Sequence, residues 1–318
     1  MTDELSFVEE IRRSPHDLTP RLIYADYLED CGNPRGELIR VQCQLDELQA
    51  GAPGRADLFK QERDLLERYG NDWLAPLRAM GVQGVSIHSF QRGLLEHVRM
   101  DVADFVKHGH DLCQTAPALC RLQLRNLTET DSLDELKIPA AMTHLDLSAN
   151  KMTVDWWHQH GVQLQGAGVT DVDLRANQLG DPQSLISLTQ VWPNLKSLCL
   201  GDNRFRRLSP VRDVQIPDQI RHLDLHRNPL GEDAFEQLLA SKCCENIEYL
   251  NLSSCHLSSL AFLAATDRLI SLKQLIVRDN KLSQDGWDQL NTEQQKWLLS
   301  LDVFDTRNNP GSLPCCGV

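Results

Sequence analysis

Positive charge is scarce in this chain: 32 Lys and Arg stand against 45 Asp and Glu in 318 residues, a formal net charge of −13. A surface built to neutralise phosphates shows its basic excess in its composition, so neither nucleic acid nor an anionic membrane is an expected partner. No apolar run approaches the roughly 18 residues that a membrane-spanning helix needs. The 10 cysteines include no CxxC, which removes the zinc-knuckle spacing. Four of them form adjacent pairs, Cys243-Cys244 and Cys315-Cys316, and neighbours rarely meet disulfide geometry. Residues Met1 to Val8, with Asp3 and Glu4, form no secretory signal, so the cytoplasm is the expected compartment. GxxxxGK[ST] is absent, and Cys315-Cys316-Gly317-Val318 is not a prenylation box. Disorder is excluded by a 41% hydrophobic and 24% charged composition, and the length allows one or two domains with ample core.

Leucine is in surplus, with 51 residues or about one in six. Its positions recur. Apolar residues at positions 1, 4, 6 and 11 with Asn at 9 appear in Met142-Leu145-Leu147-Asn150-Met152, Val169-Val172-Leu174-Asn177-Leu179, Leu195-Leu198-Leu200-Asn203-Phe205, Ile220-Leu223-Leu225-Asn228-Leu230 and Leu272-Leu275-Val277-Asn280-Leu282. A sixth copy, Ile247-Leu250-Leu252-Cys255-Leu257, carries Cys in the Asn slot. Weaker copies flank these: those starting at Leu95 and Leu119 lack the Asn, and the one at Leu301 keeps it as Asn309.

Alternation at positions 4 and 6 predicts a short strand per copy, and a buried Asn can satisfy backbone groups where the chain leaves that strand. After Leu230, the run Gly231 to Leu239 places Phe235, Leu238 and Leu239 on one helical stripe. One strand-plus-helix unit cannot bury its apolar face alone, so neighbours must stack. This pattern resembles the leucine-rich repeat family over about residues 95–313, and Gly231 to Leu239 is similar to its helical, ribonuclease-inhibitor-type subclass. The expected fold class is therefore α/β: a solenoid at 81–318 of about nine repeats, first and last degenerate, with a curved parallel sheet and helices or turns on its convex side. Nine strands at about 4.8 Å spacing predict an open arc roughly 40 Å long.

Residues 1–80 lack the repeat and read as an all-helical cap domain. Thr19-Pro20 reads as a cap with proline at the first helical position, and Gly32 ends that helix. Asn33-Pro34 opens the next, whose Leu38, Val41, Leu45 and Leu48 form one stripe. A third helix carries Leu58, Leu65, Leu66 and Tyr69 towards Trp73. Asp26 lies mid-helix among apolar neighbours, with Arg21, Arg35, Glu37 and Arg40 close in the chain, which predicts a buried ion-pair latch between helices. Asp17-Leu18-Thr19-Pro20-Arg21-Leu22-Ile23-Tyr24-Ala25-Asp26-Tyr27-Leu28, then Gly32-Asn33-Pro34-Arg35-Gly36-Glu37-Leu38-Ile39-Arg40-Val41-Gln42, resemble the repeat-companion domain of planctomycete-type bacteria, with Tyr27 where Trp is expected. Trp73 to Leu77 and Phe90 to Leu95 are similar to that domain's continuation. The resemblance implies a bacterial protein in which a helical module accompanies a repeat array, and it implies no mechanism.

Positions 3, 5 and 7 of each copy point away from the core and form three rows on the concave face. Candidate partner-binding residues there are Asp146, Asp173, Arg175, His222, Asp224, His226, Tyr249 and Arg278. Tyr and Arg are the types that become anchors in interfaces. The primary expectation is a monomeric, non-enzymatic interaction scaffold without cofactor, binding a protein of basic or mixed charge. Two alternatives use the same face: His222, Asp224 and His226 as ligands of a metal, or Cys199 as a nucleophile beside Asp224, His222 and His226, either one giving a hydrolase. A further alternative makes the N-terminal domain the binding unit. Trp156 and Trp157 are expected to pack on the convex side, and Cys255 to be a buried structural thiol.

Overall fold

The computed structural model describes the chain apart from residues 1–2, 15–16, 50, 128–132, 134, 181–187, 207–218, 232–234, 236–241, 265–268, 312 and 318. It divides into two compact units, 1–125 and 126–318.

The first unit contains α1 (Asp3–Arg13), α2 (Thr19–Asp30), α3 (Arg35–Glu47) and α4 (Arg55–Ala79). The parallel strands β1 (His97–Asp101) and β2 (Arg121–Arg125) follow, with α5 (Val102–Thr115) between them. The start of α2 differs from expectation. Asp17 does the capping: its Oδ1 accepts from the Thr19 N–H at 2.9 Å, while Thr19 is already helical. A similar bond from the Arg35 N–H to Asn33 Oδ1, at 3.0 Å, opens α3. Val8, Ile11, Tyr24, Ala25, Leu28, Ile39 and Cys43 build the core of this unit. Tyr27 stacks on Tyr24 and lies 5.2 Å from Phe7, so a smaller ring at this position still fills an aromatic cluster.

The predicted latch takes a different form. Asp26 is exposed, with 62% of its side chain accessible, and pairs with Arg40 across α2 and α3. Helical periodicity places Asp26 opposite Tyr24, Ala25 and Leu28, so sequence neighbours were poor guides to its burial. The buried charge is Arg21, 1% exposed, whose Nη2 donates to Glu96 Oε1 at 2.6 Å. Two further locks join distant segments. Gln42 donates from Nε2 to Glu62 and to the Phe90 carbonyl, and its Oε1 accepts from the Gly93 N–H at 2.6 Å. Arg35 sits over the rings of Trp73 and Phe90, at 5.1 and 5.5 Å. Gly93 has a φ of 78°, and any Cβ there would lie 2.6 Å from Ile39 Cα, so only glycine fits.

The second unit is repetitive. Strands β3 (His144–Asp146), β4 (Asp171–Asp173), β5 (Ser197–Cys199), β6 (His222–Asp224), β7 (Tyr249–Asn251), β8 (Gln274–Ile276) and β9 (Val303–Asp305) pair in sequence order, all parallel. Leu145, Val172, Leu198, Leu223, Leu250, Leu275 and Phe304 stack beneath them, at most 3% exposed. Each fully buried side chain of this size contributes about 1.5–3 kcal/mol of transfer free energy.

The Asn slot connects each copy to the one before it. Asn177 Nδ2 donates to Leu174 O in its own copy and to Leu147 O in the preceding one, while its Oδ1 accepts from the Asn150 and Met152 N–H groups at 3.0 Å. Asn228 and Asn280 repeat these bonds, and Asn203 repeats both donations and accepts from the Leu179 N–H. Cys255 is buried as expected, and its Sγ donates to Leu225 O at 3.3 Å. One consequence is backbone strain at position 8, where Ala149, Ala176, Asp202, Arg227, Ser254, Asp279 and Asn308 all have φ between 53° and 62°. In the first six of these the N–H donates to the next copy, as Ala149 does to Arg175 O at 2.9 Å, which holds a left-handed turn without glycine.

These features make the second unit a leucine-rich-repeat solenoid. Trp156 and Trp157 are buried, and Trp157 packs 5.6 Å from Trp192. Of the predicted helix at Gly231 to Leu239, Gly231 is non-helical and Phe235 is buried in helix, while 232–234 and 236–239 lie outside the described residues. Cys316 pairs antiparallel with Phe304 on the edge of β9 away from β8, which supplies partners to that edge.

Candidate recognition face

The rows at positions 3, 5 and 7 do not all face outward equally. At position 5, an acid or amide accepts from the N–H two residues on: Asp146 from Ser148, Asp173 from Arg175, Asp224 from His226, Asn251 from Ser253 and Asp305 from Arg307, all at 2.8–3.1 Å. The side chain thus ends its own strand by supplying an acceptor where the ladder stops. Asn251 does this without charge, so the turn requires the oxygen and not the carboxylate. The signal in the sequence is an Asx at position 5 in five copies, four of them acidic.

Much of that acidity is internally paired. Arg175 holds Asp173 through Nε at 2.8 Å and Nη2 at 2.6 Å. This fork keeps the Arg175 guanidinium protonated well beyond its ordinary range. His226 Nδ1 lies 2.7 Å from Asp224 Oδ1. Burial alone would raise the Asp224 carboxyl, but the bonds from His226 outweigh it and hold the group below the usual carboxylate value. Arg278 is exposed and only 3.9 Å from Asp279, a loose surface pair. His222 is exposed, and its ring lies 6.1 Å from that of half-buried Tyr249.

The eight sequence candidates therefore separate. Asp173 with Arg175, and Asp224 with His226, form internal pairs, and Asp146 ends its strand. His222 and Tyr249 are register partners on β6 and β7, and Arg278 follows the end of β8 by two residues.

The metal and thiol readings also regroup. Cys199, Asp224 and His226, all half-buried, bring one candidate ligand atom each within 4.8 Å of the others, whereas His222 is not part of the set. Cys199 and Asp224 are register partners on β5 and β6. The His226 ring lies over Gly201, where a Cβ would meet Cε1 at 2.1 Å, so the glycine at position 7 of the preceding copy admits the ring. Burial first, and the Asp224 charge second, push the Cys199 thiol well above its ordinary value. A thiol so protonated is a weak nucleophile at neutral pH.

No family model matches the chain. It is 30% identical over 222 residues to a tubulin-specific chaperone E from Mus musculus, covering 64% of this chain and 39% of that protein. Identity with the tubulin-specific chaperones E of Danio rerio and Drosophila melanogaster is 25% and 23%, over 57% and 50% of this chain and 32% of each of those proteins. The chain spans about a third of the length of these curated relatives. Among solved structures it is similar to an internalin from Listeria monocytogenes (18% identity, TM-score 0.39, 63% of this chain and 65% of that one). It also resembles the TLR13 chain of an ssRNA13 complex (21%, TM-score 0.43, 68% and 33%) and human 5T4 (22%, TM-score 0.40, 59% and 77%). No described helix is long and apolar enough to cross a membrane.

Proposed function

We propose that the chain is a non-enzymatic protein-recognition module of the cytoplasm, binding its partner through the concave face with His222, Tyr249 and Arg278 as anchors. The observation that carries this reading is a contrast within each repeat. Interior positions repeat one apolar type and one hydrogen-bond scheme, while the concave positions differ from copy to copy: position 3 runs His144, Asp171, Ser197, His222, Tyr249, Gln274. A surface held on a fixed frame, with its side chains free to vary, suits selective binding. Because Asp173 and Asp224 are paired internally, the face is of mixed charge, and a partner of basic or mixed charge fits it. Cys31, Cys43, Cys113, Cys120, Cys199, Cys244, Cys255, Cys315 and Cys316 are free thiols, which suits a reducing compartment.

The relatives' name specifies tubulin, which makes purified tubulin the first probe. Wild type immobilised at low salt is expected to retain a protein partner that the triple variant His222→Ala/Tyr249→Ala/Arg278→Ala retains more than about tenfold less, with binding weakening as salt rises. Equal retention by the variant would move recognition off this face. If so, residues 1–80, similar in their motifs to a repeat-companion domain, become the binding unit to test.

A further inference from the structure

We propose that Cys199, Asp224 and His226 form a three-ligand site for a zinc-type divalent cation, with its fourth position open on the concave face. This goes beyond the protein-recognition reading and does not depend on it. The geometry comes first. One ligand atom from each residue already lies within 4.8 Å of the other two. Zinc bonds of about 2.0–2.3 Å in a tetrahedron place their ligand atoms roughly 3.3–3.7 Å apart, so small side-chain rotations close the set. The backbone needs no movement, because Cys199 and Asp224 are held side by side by the strand ladder and His226 follows two residues later.

Donor chemistry narrows the ion. A sulfur, an imidazole nitrogen and a carboxylate oxygen suit a borderline cation such as zinc, while calcium and magnesium prefer oxygen alone. Arg175, a guanidinium near Cys199, is engaged by both oxygens of Asp173. Strand termination does not explain the trio, since Asn251 ends β7 without a charge and without a neighbouring thiol in its cap. Gly201 is the positioning residue, because any side chain there would collide with the His226 ring. Ion binding would exchange the thiol proton for the metal, releasing one proton to solvent and leaving a thiolate–metal bond. Three protein ligands leave the fourth position for water or for a donor from a bound molecule.

The test uses the full-length, reduced protein titrated with cobalt(II), whose bond to a thiolate gives a near-ultraviolet charge-transfer band, and with zinc in competition with a chelator. Wild type is expected to bind one ion with that band and with release of a proton. Cys199→Ser should abolish the band. His226→Gln should weaken zinc by more than about 100-fold, beyond the usual cost of losing an outer-shell contact. Gly201→Ala should weaken it by about tenfold while keeping the band. Cys31→Ser and Cys315→Ser, at exposed thiols, should leave both readouts unchanged. Absence of the band in wild type, or an undiminished band in Cys199→Ser, overturns the site. If Cys199→Ser fails to fold by circular dichroism, His226→Gln decides, and unchanged zinc affinity in that variant likewise overturns it.

Discussion

The helical unit and the repeat unit solve the same problem, satisfying polar groups in an interior, in opposite ways. In the helical unit each solution is used once: Arg21 with Glu96, Gln42 with the Gly93 N–H, and Arg35 over Trp73 and Phe90. In the repeat unit one solution recurs, an Asn that bonds its own turn and the one before it. A single-use lock joins segments far apart in the chain, so its loss is felt throughout the unit. A recurring lock joins neighbours, so its loss is confined to them.

That contrast can be broken most directly at Arg21. Arg21→Met leaves Glu96 charged and nearly buried, and should lower stability by about 3–5 kcal/mol in urea unfolding, with Glu96→Gln in the same chain recovering part of it. Full additivity of the two changes would mean that the pair is no lock. Next in size is Asn203→Ala, which removes a fully buried amide that serves Leu174 O, Leu200 O and Gly201 O. It should cost about 2 kcal/mol, with faster hydrogen exchange confined to the copies around residues 174–205. Exchange that spreads evenly over 126–318 would make the repeat unit as global as the helical one.

Cys255→Asn runs the other way. The Asn228 N–H donates to the Cys255 sulfur where the Asn150 and Asn203 N–H groups meet an amide oxygen, and burial pushes that thiol up to about 12. Restoring the amide should raise stability by about 1 kcal/mol, read as a shift in the denaturant midpoint without a change in slope. A loss would mean that the slot has shrunk around sulfur.

Acid provides a smaller test. The Arg307 bonds hold the Asp305 carboxyl below its ordinary value despite burial, and Asp224 is depressed as described above. A depressed carboxylate stabilises the fold above its unfolded pKa, near 4, and that contribution is lost as pH falls through the lower folded value. Melting curves of the wild type should therefore fall below about pH 4, and Asp305→Asn, which keeps the strand-ending oxygen, should flatten that limb. The smallest effect belongs to Asp26→Ala. Its pair with Arg40 is a surface contact worth at most about 1 kcal/mol, so the melting temperature should barely move. A sharp drop would restore Asp26 as a latch.

The legibility of the two units follows the same division. Repeat positions 4, 6 and 9 were readable because periodicity states the environment several times: Leu145, Leu198 and Leu223 occupy the same place, and one strand per copy follows. Position 8 was not readable, because Ala149, Arg227 and Asp279 share a left-handed backbone imposed by the ladder and not by residue type. In the helical unit, Asp26 and Arg21 are five residues apart on one helix, and composition nearby does not tell which is buried. What decides it is Glu96, 75 residues away from Arg21.

The leucine spine and the Asn slots are legible in the chain alone, because each is a local pattern repeated at a fixed spacing. Tertiary contacts set which charges of these rows pair within the chain, as Asp173 does with Arg175 and Asp224 with His226. They also grouped Cys199 with Asp224 and His226 and left His222 beside Tyr249. Strand register and the space above Gly201 set those groupings, and both arise from the stacking of copies about 25 residues apart rather than from any one of them.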